Sequence, residues 1–374
     1  MSFKSQHCQT PHSASIRKTV FKCAAICLVL AIAMMLPITT SIAGNTYFVS
    51  AYGSDQHNGD SWATALQTIQ QGLELARLGD QILIGHGTYY QDFHTVRNGK
   101  VETPIRISAV GNVEIRGAGR SRVVEINHSH IILEGIKING KIGSGSEPES
   151  YRDKLVFVMG QDSDKGVRGV KLLNMDLRNA GGECVRLKYF AHHNEIAYSK
   201  FTNCGVWDFR FAQGGKNGEG VYIGTAPEQL QDNPTLEPDE SNSNWIHDNY
   251  FLTEGNECVD IKEHASFNVV ERNSCTGQKD PDSGGISIRG DRNIVRDNVI
   301  YNNVGVGIRV GGDSMDHGVN NEVIGNWLKH NGYGGLRVTR MPQRTICGNT
   351  VRPSNEQIVV GPFSQQIRLE EPCL

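Results

Sequence analysis

The sequence predicts an all-β fold, a parallel β-helix (a solenoid) whose N-terminal end is closed by a short capping helix. Three observations predict it. A six-residue run with alternating aliphatic positions recurs between residues 183 and 339. An asparagine frame recurs behind it at steps of 25, 28 and 23 residues. The 46–89 stretch holds strand, turn and helix signals that fit the cap such a solenoid needs over its open apolar end.

The run reads Glu183-Cys-Val-Arg-Leu-Lys188, Glu219-Gly-Val-Tyr-Ile-Gly224 and Glu257-Cys-Val-Asp-Ile-Lys262, then Gly284-Gly-Ile-Ser-Ile-Arg289, Val306-Gly-Ile-Arg-Val-Gly311 and Gly334-Gly-Leu-Arg-Val-Thr339. Positions three and five are always aliphatic, and positions four and six are mostly polar or Gly. That is period-two alternation, with one face buried and one wet. The frame Asn268…Asn273, Asn293…Asn298, Asn321…Asn326 follows, and Asn349 repeats its second asparagine. Repeats of this length, with short strands, polar turns and no room for a helix, are coils of a parallel β-helix. Asparagine at each turn suits it, because the side chain can hydrogen-bond the backbone of the neighbouring rung. The leucine-rich frame is absent, and a propeller would need longer units with antiparallel hairpins.

Thr46 to Val49 reads as a strand and Ser54 to Asp60 as a turn. Thr68 to Leu78 carries Ile69, Leu73 and Ala76 at helical spacing; Gly79-Asp80 stops it and Gln81 to Ile84 opens a strand. Residues 44–374 are read as one domain, with 44–90 as cap and first strands. Residues 1–43 are read as an export signal: Arg17 to Lys22 precede an apolar run from Cys23 to Leu36, then Ser41-Ile42-Ala43 offers a small-residue cleavage site. The apolar run has 14 residues, short of the ~20 that span a bilayer. The expected location is therefore secreted or periplasmic, with no membrane association after cleavage. The remainder carries 33 cations against 40 acids, a net charge of −7, so nucleic acid is not an expected partner. Six cysteines follow the signal, and an even count in an exported chain suggests disulfides. We expect the local pairs Cys184–Cys204, Cys258–Cys275 and Cys347–Cys373, the first two at matching places in the repeat.

The N-terminal run adds a resemblance. Tyr47-Phe-Val-Ser with Gly53-Ser-Asp55, Trp62-Ala-Thr64, Ile69, Ala76, Gly79-Asp80, Ile82 and Gly87-Thr-Tyr89 resembles the opening of secreted right-handed parallel β-helix polysaccharide enzymes. That superfamily holds pectate lyases, alginate lyases, chondroitinase B and mannuronan epimerases. With the coils, the likeness covers about 45 to 350 and implies a right-handed coil. One such fold hosts several chemistries, so the reaction has to be argued from side chains.

Stacked strands lie ~4.8 Å apart, so position six forms one outward column, Lys188, Gly224, Lys262, Arg289 and Gly311. Position four forms another: Arg186, Tyr222, Asp260, Ser287 and Arg309. Position one, Glu183, Glu219 and Glu257, falls in the preceding turn. Carboxylates one rung apart raise each other's pKa unless a cation intervenes; Ca2+, with its flexible oxygen coordination, is one natural solution, and the flanking Lys188, Lys262 and Arg289 are another. Gly224 and Gly311 are read as clearing space beside these charges for an extended anionic chain. The bland alternative is a solvated charge ladder that keeps the sheet soluble.

Glu257-x-x-Asp260-x-Lys262, then Ile288-Arg289-Gly290-Asp291, is similar to the site of the alginate lyase/chondroitinase B family. The resemblance implies Lys262 as the base that removes a uronate C5 proton, Arg289 as its partner, and Glu257, Asp260 and Glu219 as calcium ligands. Tyr222 is an alternative acid, and Lys188, Arg186 and Arg309 are candidate substrate-binding groups. Two departures stand out: the acidic ligands lie closer in sequence in that family, and the Lys-to-Arg interval is longer here. A lysine serves as base only if cations or burial lower its pKa, so this reading requires the metal.

Asp280-Pro-Asp282 is read as a turn, and His192, His193 and His264 as surface residues. The acidic segment 225–244 either walls the groove or is a loose insertion. The predicted function is a secreted, calcium-assisted lyase of a uronate polymer, an anionic polysaccharide. A non-catalytic glycan-binding β-helix and a C5-epimerase are the alternatives. The oligomeric state is not legible.

Overall fold

Short strands, most of them three to five residues long, stack into three parallel ladders. The computed structural model describes residues 44–119, 121–164, 166–314, 316–353 and 357–373. The expected export signal, with Cys8, Cys23 and Cys27, lies outside the described residues. One ladder is a ten-stranded sheet running from Phe93–His94 through Val185–Lys188, Val221–Ile223, Val259–Ile261, Gly284–Ile288 and Val306–Val310 to Val359–Val360. The other two ladders join through the long strand Ile105–Ile115 into a 19-stranded sheet. Every pairing between these strands is parallel, as a parallel β-helix requires.

Alternation places the core. Val221 and Ile223, Val259 and Ile261, and Ile286 and Ile288 are all fully buried inside the coil, each contributing roughly 1.5–3 kcal/mol. The far side is filled in the same way: Phe201 stacks on Phe251 with centroids 4.4 Å apart.

The asparagine frame becomes two continuous ladders. Asn273 Oδ1 accepts from Asn249 N at 3.0 Å, Asn298 Oδ1 from Asn273 N at 2.9 Å, and Asn326 Oδ1 from Asn298 N at 3.0 Å. Each amide then donates to a backbone carbonyl, as Asn273 Nδ2 does to Ile246 O at 2.9 Å. The residues just before them, Asp248, Arg272 and Asp297, turn the chain with φ of 54°, 53° and 56°. Such left-handed residues cost roughly 1–2 kcal/mol each, and the buried amide bonds offset it.

At the N-terminal end the helix spans Ile69–Leu75, and its packing partners are the strands Thr46–Val49, Gln81–Tyr89 and Phe93–His94. Thr68 caps it by accepting from Gln71 N. It stops short of the expected Leu78 because the Arg97 guanidinium takes its last carbonyls, Leu73 O at 2.7 Å and Glu74 O at 3.0 Å.

The three expected disulfides form: Cys184–Cys204, Cys258–Cys275 and Cys347–Cys373. No helix among the described residues is long and apolar enough to cross a membrane.

Candidate active site

The parallel register settles which side chains meet. Arg186 pairs with Tyr222, Tyr222 with Asp260, Asp260 with Ser287, and Ser287 with Arg309. These side chains point out of the coil because their neighbours in each strand point in. Glu219 and Glu257 lie in the turns just before their strands and reach the same patch. Ligand oxygens of Glu219, Glu257 and Asp260 all fall within 4.8 Å of one another, the only such acidic group among the described residues.

Two cations face these three acids. Lys262 Nζ lies 2.8 Å from Asp260 Oδ2 and 4.5 Å from the centre of the Tyr222 ring. Arg289 Nε lies 3.3 Å from Asp260 Oδ1, and its Nη2 lies 3.6 Å from Glu257 Oε1. Ser283 Oγ donates to Glu257 Oε1, and Gly218 N donates to Glu219 Oε2 at 2.9 Å.

The expectation of a wet outward face is corrected here. Asp260 and Glu257 are fully buried, and Tyr222, Glu219, Arg186 and Lys262 are buried as well. Lys262, Arg289 and Ser283 pack against Asp260 and Glu257, and insertions between strands line the cleft beside them. The segment before Val221 forms the short helix Val206–Arg210, and the segment after Ile223 forms the 3-10 turn Pro227–Asp232. The acidic segment 225–244 is therefore a fixed wall. Its Asp239, fully buried, accepts from Tyr189 N at 2.7 Å, Phe190 N at 3.0 Å and Thr225 Oγ1 at 2.6 Å. Gly224 does not open a groove. At φ +90° it allows a close approach, since an added Cβ would lie 3.3 Å from Lys262 Cβ and 3.2 Å from Ala265 Cβ. Gly311 is crowded likewise, by the Thr339 hydroxyl.

Burial sets the electrostatics. Glu219 is pushed up to about 8 by burial and by Glu257, Glu183 and Asp260. Glu257 is raised by burial and by Asp260. Burial opposes ionisation of Asp260, but Arg289 and Lys262 overcome it and hold its carboxyl low. Burial likewise pulls Lys262 down, yet Asp260, Tyr222 and Glu219 win and keep it charged. Burial raises Tyr222 to about 12 against Lys262 and Arg186, so its hydroxyl stays protonated.

The donor set fits a hard divalent cation. It has three carboxylates on adjacent coils, two of them resisting ionisation, and a buried Glu257 Oε2 without a hydrogen-bond partner. The Tyr222 hydroxyl and Asn256 Oδ1 are also buried without hydrogen-bond partners.

A cleft of about 460 Å³ opens beside this cluster, toward the N-terminal coils. Arg122, Lys154, Arg186 and Lys188 line it, together with Trp207 and Asp232. Arg186 is stacked 3.5 Å over the Tyr222 ring and paired with Glu183 at 2.5 Å; Lys154 reaches the other Glu183 oxygen at 2.9 Å. Burial works against ionising Glu183, but Lys154 and Arg186 hold it at about 2. Arg309 sits on the opposite side of the cluster, joined with Arg289 through Asp313.

Register thus gathers Lys262, Arg289, Tyr222, Glu219, Glu257 and Asp260, and sets Arg186 and Lys188 on the cleft floor. Sequence reasoning missed Lys154, Trp207, Ser283 and Asp313. Glu183 stood in the same column as Glu219, so its place was readable. Asp313 and Trp207 lie on insertions outside the repeat and carried no signal. Asp280-Pro-Asp282 is the expected turn, with Asp282 N donating to Asp280 Oδ1 at 3.0 Å. His264 and His317 meet edge to face at 4.4 Å.

No family model matches the chain, and no curated protein matches it. Among solved structures it is similar to an alginate lyase from Paenibacillus sp. str. FPU-7, with a TM-score of 0.67 at 18% identity over 84% of this chain and 98% of that one. The chain has a pectate lyase-like fold. Pectate lyase Pel9A gives a TM-score of 0.57 at 14% identity, over 85% and 78% of the two chains. A mannuronic acid-specific family 6 polysaccharide lyase from the human gut microbiota gives 0.56 at 16% identity, over 84% and 67%. These neighbours of the pectate lyase-like coil are polysaccharide lyases, and at such identities the likeness speaks for architecture alone.

Proposed function

We propose that this chain is a polysaccharide lyase that cleaves a uronic-acid-containing polymer by β-elimination. The observation that carries the proposal is the gathering of Lys262, Arg289 and Tyr222 with the acidic triad on one patch beside a cationic cleft. We read the coil as right-handed, the sense in which parallel crossovers run. We place the protein in the periplasm or outside the cell, because three disulfides suit an oxidising compartment.

Glu219, Glu257 and Asp260 would hold Ca2+, which when bound neutralises the substrate carboxylate and acidifies the adjacent C5 proton. Burial and Arg289 already pull the Lys262 ammonium down, and Asp260 does most to keep it charged. Lys262 therefore acts as a base once the charge of Asp260 is engaged elsewhere. Its Nζ takes the C5 proton, the C–H electrons form the C4–C5 double bond, and the C4–O bond breaks. Tyr222, protonated and with an unpartnered hydroxyl, gives the leaving oxygen its proton. Arg289 is held more firmly charged than a free arginine and serves as charge stabiliser. Arg186, Lys188 and Arg309 bind further anionic groups.

One observation favours a second reading, a non-catalytic glycan binder: Lys262 is neutralised by Asp260 and is 7% exposed. Incubation with a panel of uronate polymers separates the two. Unsaturated uronate, read by its ultraviolet absorbance, supports the lyase. Binding with no product supports the binder. C5 inversion without scission, read by NMR, means an epimerase.

A further inference from the structure

Two arginines of the site end on one carboxylate of the chain itself. Asp313 gives Oδ2 to Arg289 Nη1 and Oδ1 to Arg309 Nη2. The arginine side chains are 14% exposed and the Asp313 side chain is 59% exposed. The cations therefore form the floor, and the anion sits at the mouth. Arg289 keeps other partners, Asp260 and Glu257. Arg309 has no other ion pair among the described residues.

The turn that carries Asp313 is held without help from its carboxylate. Asp313 N donates to Glu263 Oε1 at 3.1 Å, Arg340 Nε donates to Ser314 O at 3.1 Å, and Gly318 N donates to Asp291 Oδ1 at 2.8 Å. Rotation of the Asp313 side chain alone would release Arg309 and the Nη1 of Arg289, which keeps Asp260 and Glu257, while the backbone stays in place. Asp313 is the exposed member of these pairs, so its side chain can leave toward solvent without uncovering the buried cluster.

We propose that Arg289 and Arg309 form a subsite for one planar carboxylate of the substrate, and that Asp313 is its internal occupant, which an acidic sugar displaces. Two guanidiniums that each give one N–H donor to a different oxygen of the same carboxylate make a geometry that suits a planar two-oxygen anion. A neutral or esterified sugar gains nothing there, because it cannot replace the charge that Asp313 supplies. The carboxylate side chain thus screens ligands by charge and lowers the affinity that the open arginines would otherwise give. The identity of the ligand as a uronate rests on the lyase reading; the existence of the subsite does not.

The test uses the full chain, calcium-loaded, with Lys262→Ala to stop turnover. The probes are hexasaccharides of mannuronate, guluronate and galacturonate, and the methyl ester of the last, titrated calorimetrically. Adding Asp313→Asn, or Asp313→Ser, is expected to tighten binding of the acidic hexasaccharides about fivefold. Adding Arg309→Gln is expected to weaken it, and the ester is expected to show no gain. Equal or weaker binding in both Asp313 variants, a gain shared by the ester, or no acidic hexasaccharide bound by either variant overturns the proposal. Failure of the lyase reading registers separately, as absence of unsaturated product from the chain that retains Lys262.

Discussion

Tyr222 and Lys188 separate what chemistry asks of a side chain from what binding asks. Tyr222 is protonated, buried against Lys262 and Arg186, and has no hydrogen-bond partner for its hydroxyl. Tyr222→Phe keeps the ring and both stacked cations and removes only the proton. We expect it to lower kcat by about 10²-fold with KM nearly unchanged, measured by steady-state ultraviolet assay. Lys188 is the opposite case. It carries no ion pair among the described residues, and burial together with Arg186 pushes its ammonium down to about 8. A base with a lowered pKa is charged below that value and neutral above it. The cation that an acidic sugar needs is therefore complete below about pH 8 and lost as pH rises. KM should climb above that pH in the parent chain. Lys188→Gln should raise KM about tenfold at lower pH and abolish the climb, leaving kcat in place.

At the scale of elements, the asparagine ladders and two of the disulfides hold the site in register. Asn273 accepts from the backbone and side chain of Asn249 and donates to Ile246 O and to Asn298 Oδ1. Asn273→Ala strands several of these buried groups, at ~1–3 kcal/mol each. A loss of about 3–5 kcal/mol is expected in urea unfolding. Cys258 follows Glu257 directly, and its bond to Cys275 fixes the turn from which that carboxylate projects. Replacing both by Ser should cost ~2–4 kcal/mol and weaken calcium affinity, measured by calorimetry. Cys204 precedes the helix that carries Trp207, so its bond to Cys184 steadies a cleft wall. These elements were legible in the sequence because their signals are local and periodic. Aliphatic residues every second place and an asparagine at every turn can be read without coordinates. The helix end at Leu75 was not legible, because it depends on Arg97, more than twenty residues away.

Across the whole molecule, the repeat dictates the site and the insertions dictate its shape. Register alone brought Glu219, Glu257, Asp260, Lys262 and Arg289 together, since stacked coils preserve position. What register does not carry is the cleft. The segments 205–218 and 225–244 leave the coil between strands, follow no period, and line the cleft beside a cluster that is itself buried. Trp207 and Asp313 escaped the sequence reading for that reason, and the apparent space at Gly224 was filled by Lys262 and Ala265. The burial of the cluster makes the central claim demanding, because Lys262 lies buried against Asp260 and must lose that pairing to act. The most direct measurement is the rate of unsaturated uronate formation from a panel of uronate polymers, with parent chain and Lys262→Ala, each with calcium and with chelator. The account predicts product from the parent chain with calcium alone, loss on chelation, recovery when calcium returns, and a drop of about 10²–10⁴-fold in Lys262→Ala. Product of equal rate from a folded Lys262→Ala chain, or none from the calcium-loaded parent on any polymer, would contradict it.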